Sequence, residues 1–238
     1  MRSDGLHARS RLLATALRLF AENGFANTST RQVATAAGVN IAAISYYFGD
    51  KAGLYRAAYT EPMGADCGNL QCLDHHSLPL KQALHMMLSH IVQPLKQGEL
   101  VQLCMRLRYR EMLEPTGLWA HEIDSEIKPT HTSLVQGLCK HLQLNKPDDD
   151  IHRLAHSILG LAINLYVGRD VVNALAPQLQ ASAKAIDIYT DRLVDYALAM
   201  VASEAKRRQQ KSRKPAVKPH TRTISKRHPK PNKNETTT

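Results

Sequence analysis

The chain has little of what makes strands, disulfide frameworks, membrane spans or catalytic centres. Runs of β-branched residues are scarce, and Gly and Pro are scattered, so the pattern is all-α. The longest apolar run, Ile158 to Val167, is too short to span a bilayer and contains Asn164. Cys67, Cys72, Cys104 and Cys139 form no C-x-x-C pair. No secretory signal precedes the first amphipathic stretch, so reduced thiols and a cytoplasmic location are expected. No Gly-rich phosphate loop, nucleophile elbow or carboxylate pair is present, so nothing points to an enzyme, and no cofactor is expected.

Charge is abundant but unevenly placed. The net formal charge is +10 over 238 residues. Residues 206–238 hold 12 Lys/Arg against one acid, and residues 1–60 hold 7 against 3. Residues 61–205 reverse the balance, with 12 Lys/Arg against 17 acids. Basic ends around a mildly acidic middle suit a nucleic-acid binder that carries a separate body.

The most informative stretch is Thr28 to Lys51. Ser29 and Gln32 have the spacing of a capping box, and Val33, Ala34 and Ala37 give the helix they open an apolar face. Gly38 suits the left-handed stop, and Asn40 can cap a second short helix. Ile44 and Phe48 face inward there, while Ile41, Ala42, Ser45 and Tyr46 lie off that stripe. Two short helices around a Gly-containing turn form a helix-turn-helix, whose second helix enters the DNA major groove. Ala and Ile favour the thymine methyl, and Ser can donate or accept at a base edge.

These residues carry a family resemblance. RLLATALRLFAENGF (Arg11 to Phe25), TSTRQVATAAGV (Thr28 to Val39) and AISYYFGDKAGLY (Ala43 to Tyr55) occur in order, and this part of the chain resembles a TetR-family transcriptional regulator. The commonest family form carries Tyr at the position of Ser45 and His at that of Tyr47, and the chain departs at both. The resemblance implies phosphate contacts for Tyr47, Lys51 and Ser29 or Thr30, beside base contacts from the reading helix that Asn40 opens. It also implies a homodimer through roughly 151–200, a small-molecule effector and a role as repressor. YREMLEPTG (Tyr109 to Gly117) and the helices after it resemble TetR regulators with a CecR-like C-terminal domain.

The expected architecture is an N-terminal three-helix helix-turn-helix domain over 1–60 and a larger α-helical effector-binding and dimerisation bundle over 61–205. A basic, disordered tail is expected over 206–238, because its composition cannot bury enough apolar surface to offset chain entropy. Arg2 to Ser10 reads as a polar arm before a helix over 10–23, and residues 61–77 read as a linker. In the body, periodicity predicts helices over 80–96, 99–113, 119–127, 129–142, 151–172 and 183–206. Leu100, Leu103, Leu107 and Met112 are expected on the inner face of the second of these.

Arg106, Tyr109, Arg110, Trp119, Asn164 and Tyr166 are candidates to line an effector pocket, in which Arg pairs an acidic ligand. Arg–Glu pairing on a solvated face is the simpler reading for the arginines. Cys67, Cys72, His75 and His76 lie close together, but C-x₄-C-x₂-H-H is not a usual finger spacing, so no metal site is assigned. Two other functions remain open at this point. One is an effector-independent DNA-binding protein driven by the tail through counterion release. The other is a metal- or thiol-responsive sensor using those four residues.

Overall fold

The computed structural model describes residues 2–62 and 78–213, and among them every regular element is helical. The N-terminal unit comprises α1 (Arg2–Asn27), α2 (Thr30–Ala37), α3 (Ala42–Phe48) and α4 (Lys51–Thr60). The body comprises α5 (Leu80–Val92), α6 (Glu99–Leu113), α7 (Leu118–Glu122), α8 (Lys128–His141), α9 (Asp149–Val167), α10 (Arg169–Leu175) and α11 (Ala183–Arg213).

Local chemistry sets the boundaries of α2, α3, α4 and the start of α9. Ser29 and Gln32 form the full capping box at α2, which satisfies two backbone donors reciprocally (3.1 and 2.8 Å). Gly38 ends α2 at φ 64°, ψ 40°, the left-handed conformation that a Cβ penalises. The Asn40 side chain accepts from the Ala42 N–H at 2.9 Å, and Asp50 from the Gly53 N–H at 2.7 Å. Asp148 caps α9, with Asp149 and Asp150 in its first turn, where the helix dipole favours negative charge.

Two apolar clusters hold the molecule. The first gathers Leu12, Leu17, Phe20, Val33, Ile44, Leu54 and Tyr55 from the four N-terminal helices. Cys104 and Leu107 of α6 belong to it as well, so α6 is packed as part of the N-terminal unit. The second gathers Leu84 and Leu88 of α5, Leu138 of α8, Ile151, Ile158 and Leu165 of α9, and Leu193 and Ala197 of α11.

Several expectations are corrected. Arg2 to Ser10 is not an arm but the first part of α1. That helix is interrupted at Gly24 (φ 82°, ψ 170°), where a Cβ would come within 2.9 Å of Arg110 Nη1 and of Glu114 Oε2. Leu100 is 47% exposed, because the first turn of α6 lies at the surface, where Glu99 pairs with Arg18 (2.8 Å). The helix expected over 151–172 breaks at Gly168, where α9 turns by 69° into α10. A Cβ there would sit 2.9 Å from the Asn164 carbonyl oxygen, a contact that glycine avoids. Residues 118–141 run through α7, a π-turn at Ile123–Ile127 and α8 without the break expected before Pro129.

The last helix does not stop at Lys206 but runs to Arg213. Arg207 pairs with Asp150 (2.5 Å) and Glu204 (2.7 Å), and Arg208 with Asp148 (2.7 Å) and Glu204 (2.6 Å). The hydrogen bond from Arg208 holds the Asp148 carboxyl well below the usual carboxylate range. The first residues of the basic segment are therefore paired with the start of α9. The rest of it, 214–238, lies outside the described residues, as do Cys67, Cys72, His75 and His76.

Gly53 tests how tightly α3 is joined to α4. A Cβ at Gly53 would sit 1.9 Å from the Phe48 carbonyl oxygen, which is backbone and cannot swing aside. Gly53→Ala is expected to destabilise the fold by about 1–3 kcal/mol, the range for overpacking. Thermal unfolding of the two proteins measures it.

Candidate nucleic-acid interface

The reading helix α3 is held by what it buries. Ile44 is 2% exposed and anchors it in the first cluster, with Tyr47 and Phe48 half-buried beside it. Its other face is open: Ala42 and Ser45 are exposed, Ile41 is 49% exposed and Tyr46 81%. Large apolar and aromatic side chains held out from a packed helix cost solvation unless something covers them. The Tyr46 and Tyr47 rings meet edge to face at 4.8 Å, which limits where Tyr46 points.

Around α3 stand the other candidates. Thr30 opens α2, and Ser29 accepts from its third residue. Lys51, at the first position of α4, lies over the Phe25 ring at 4.4 Å, with Nζ 3.5 Å from the Ala26 carbonyl oxygen. These contacts hold the ammonium on the same side of the molecule as the chain entering α2. Sequence reasoning missed Arg9. It donates to Glu61 at the end of α4 through two hydrogen bonds (2.9 and 2.7 Å) and lies over the Phe48 ring at 5.0 Å. One side chain of α1 thus braces both the reading helix and α4. No pattern in the sequence joins positions so far apart.

Two links tie α4 to the body. Tyr55 donates to Glu111 of α6 at 2.7 Å. Glu111 has no exposed surface, and its carboxyl group also accepts from Thr116 N–H (2.7 Å), Thr116 Oγ1 (3.0 Å) and Leu118 N–H (3.2 Å). One turn along α4, the Tyr59 ring lies under the Arg108 guanidinium at 5.3 Å. Arg108 in turn pairs with Glu122 and with Glu126 (3.3 Å). Burial pushes the Glu122 carboxyl up, against the pull of Arg108, and burial together with Glu111 pushes the Tyr55 phenol up, so that it stays a donor.

The residues expected to line an effector pocket do not all meet. The Tyr109 and Tyr166 rings are 4.7 Å apart, and the Tyr166 hydroxyl donates to the Ile91 carbonyl at 2.6 Å. Trp119 is half-buried, and Arg106 and Asn164 are exposed. Arg110 turns toward α1, donating to the Glu22 carbonyl at 3.0 Å and to Glu114. Among the described residues no group of three or more His, Cys, Asp or Glu is set to hold a metal ion. No single described helix is long and apolar enough to cross a membrane.

Residues 12–58 match the family described as bacterial regulatory proteins, tetR family, and residues 80–202 match the C-terminal domain of the HTH-type transcriptional dual regulator CecR. The chain belongs to the TetR family of transcriptional regulators. It is 27% identical over 183 residues to CecR of Shigella flexneri, covering 72% of this chain and 81% of that protein. A second relative, the probable HTH-type transcriptional regulator YttP of Bacillus subtilis, is 42% identical over 53 residues, 22% of this chain and 26% of that one. Among solved structures, a HlyIIR mutant superposes with a TM-score of 0.54 at 19% identity, covering 79% of this chain and 93% of that one. A TetR regulator from Agrobacterium tumefaciens superposes at 0.51 and 18%, covering 84% and 98%. At such identities the likeness shows the fold, an all-α TetR architecture with an N-terminal helix-turn-helix.

The buried link between α4 and α6 can be tested by one atom. Tyr55→Phe keeps the ring against Phe20 and Phe25 (centroids 5.0 and 5.1 Å) and removes one donor from Glu111. It is expected to lower stability by about 1–3 kcal/mol, the cost of leaving a buried polar group short of a partner. Urea unfolding gives the difference.

Proposed function

We propose that this TetR-family regulator is a homodimeric repressor released from a palindromic operator by a small molecule. The observation that carries the reading is the pairing of an open reading face on α3 with a support helix, α4, tied to the body through Tyr55 and Glu111. In this reading Ile41, Ala42, Ser45 and Tyr46 meet base edges. Asn40 fixes the start of the reading helix, and Ser29, Thr30, Tyr47 and Lys51 meet phosphates. Base contacts specify sequence, and phosphate contacts set register.

The dimer is supported by apolar residues left open on one part of the body. Val167, Val171, Leu175, Ile188 and Tyr196 are each more than half exposed, along the end of α9, α10 and α11. A two-fold pair through this region gives two reading helices, and operator half-sites about 34–36 Å apart would take one each. Release requires that the effector bind the DNA-incompetent arrangement better than the competent one. Because α4 is joined to α6 at two places, a ligand that shifts α6 shifts the reading helices as well. The partners in this reading are double-stranded DNA, a second copy and a small-molecule effector. Nothing in it calls for catalysis or a membrane.

The test is selection of bound duplexes from a random pool, with the full chain and with a chain ending at Arg213. Both are expected to return the same palindromic consensus. A consensus lost with residues 214–238, leaving only salt-sensitive binding, would transfer the role to the basic segment and overturn the reading. On the selected site, Tyr46→Ala should relax base preference by about 1–3 kcal/mol, and Lys51→Ala should weaken all duplexes alike. Competition binding separates the two.

A further inference from the structure

The reading helix depends on a guanidinium that lies outside it. Arg9, on α1, donates from both terminal nitrogens to the Glu61 carboxylate (2.9 and 2.7 Å). Glu61 closes α4, where a negative charge opposes the helix dipole, and a cation beside it offsets that cost. The face of the same guanidinium covers the Phe48 ring at 5.0 Å. Arg9 thus holds the last residue of α3 against the residue that closes α4.

From Phe48 the contacts continue outward as a ladder of rings. Phe48 meets Tyr47 at 6.2 Å and 64°, and Tyr47 meets Tyr46 at 4.8 Å and 78°. The Tyr47 hydroxyl rests against the first turn of α1, since a Cβ at Gly5 would come within 3.0 Å of it. Arg9, Phe48 and Tyr47 are half-buried, whereas Tyr46, at the end of the ladder, is 81% exposed. An exposed side chain samples several rotamers, and fixing one on binding costs entropy. A ladder anchored at its inner end restricts that choice before DNA arrives.

The side chains of Arg9 and Glu61 are 34% and 38% exposed, so their attraction contributes little to overall stability. What the pair supplies is direction: a two-pronged Arg–carboxylate contact fixes the plane of the guanidinium, and that plane lies against Phe48. With both terminal nitrogens bonded to Glu61, the group is not presented to a phosphate.

We propose that Arg9 is a positioning residue for sequence reading, orienting Tyr46 through Phe48 and Tyr47 without touching DNA. Its loss blunts base preference where Tyr46 reads and leaves the number of phosphate contacts unchanged. This rests on the reading of α3 as the base-contacting helix.

Two measurements on the full chain test it. The first is competition of the selected duplex against its single-base variants, for the unaltered protein, Tyr46→Ala, Arg9→Met and Glu61→Gln. Met keeps an unbranched stem and has no donor; Gln keeps an acceptor oxygen and loses the charge. Arg9→Met is expected to lower discrimination about tenfold at the same base pairs as Tyr46→Ala, and Glu61→Gln to lower it there by less. The salt dependence of binding stays that of the unaltered protein. With Tyr46→Ala effective, unchanged discrimination in Arg9→Met would overturn the proposal. So would a loss spread evenly over all duplexes, whether the salt slope falls by about one, as for a phosphate ligand, or holds, as for a brace that serves stability alone.

The second is amide hydrogen exchange without DNA. Arg9→Met is expected to speed exchange about tenfold at Phe48 and Gly49, while α9 and α11 keep their rates. Exchange equal to that of the unaltered protein overturns the proposal whatever the DNA result. Unchanged preference in Tyr46→Ala together with faster exchange in Arg9→Met refutes the base-contact reading and upholds the bracing of α3.

Discussion

A carboxyl group with no exposed surface governs how the two parts of this molecule are joined. Glu111 sits on α6, inside the cluster that belongs to the N-terminal helices, and every neighbour named for it is a donor: the Tyr55 hydroxyl, two backbone N–H groups and the Thr116 hydroxyl. A buried polar group is tolerated only when it is bonded in this way, and removing any donor exposes the desolvation cost of the rest. The arrangement therefore specifies three things at once: the register of α4 on α6, the turn at Thr116–Leu118, and the start of α7. The Arg108–Glu122 pair, one turn away and over the Tyr59 ring, repeats the same logic with opposite charges. A uniformly apolar contact between α4 and α6 would permit sliding, whereas two directional links spaced by one helical turn do not.

What was legible in the sequence follows from the range of the forces. Ser29, Gly38, Asn40 and Asp50 act on backbone groups within a few residues, so their roles could be read in place, and the structure shows each of them capping or stopping a helix. Ile44 was readable as the anchor of α3 because helical period puts it and Phe48 on one face, away from Tyr46. The misses are long-range. Arg9 meets Glu61 across 52 residues, and Arg208 meets Asp148 across 60. The bend at Gly168 was hidden because the apolar pattern continues through it, and only the close approach to Asn164 makes the glycine necessary. Leu100 kept helical period with Leu107 yet faces solvent, since period gives the side of a helix and not whether anything covers it.

Charge deserves the same distinction between count and placement. The net +10 suggested a basic segment available from residue 206 onward, but Arg207 and Arg208 are consumed by Asp148, Asp150 and Glu204. Glu204 is half-buried beneath both arginines, while the Asp148 and Asp150 ends are more open and individually contribute little. Together the pairs extend α11 past its apolar stripe and lay it across the start of α9. Any electrostatic contribution to DNA affinity from the C-terminal segment must therefore come from residues beyond this lock. Counting every Lys and Arg after 205 as equivalent overstates the charge available.

The same two links that make α4 rigid on α6 also restrict where a ligand can be felt by the reading helices. A ligand changes an equilibrium only by its differential affinity for the two states. Surfaces carried by α4, α6 or α7 move with the reading helix, so a ligand that contacts them can discriminate directly between its positions. Surfaces carried by α8, α9 and the loop between them are one step removed, coupled through the run of α7 into α8 and the Tyr109–Tyr166 contact of α6 with α9. The cleft between α8 and α9 bordered by His131 and His152 is of the second kind, since none of its described lining residues belongs to α4, α6 or α7. Occupying it changes DNA affinity only if it alters how α9 and α11 pack against their neighbours. Geometry thus separates two questions that a single binding measurement would merge: whether the body holds a ligand, and whether the reading helices respond to it.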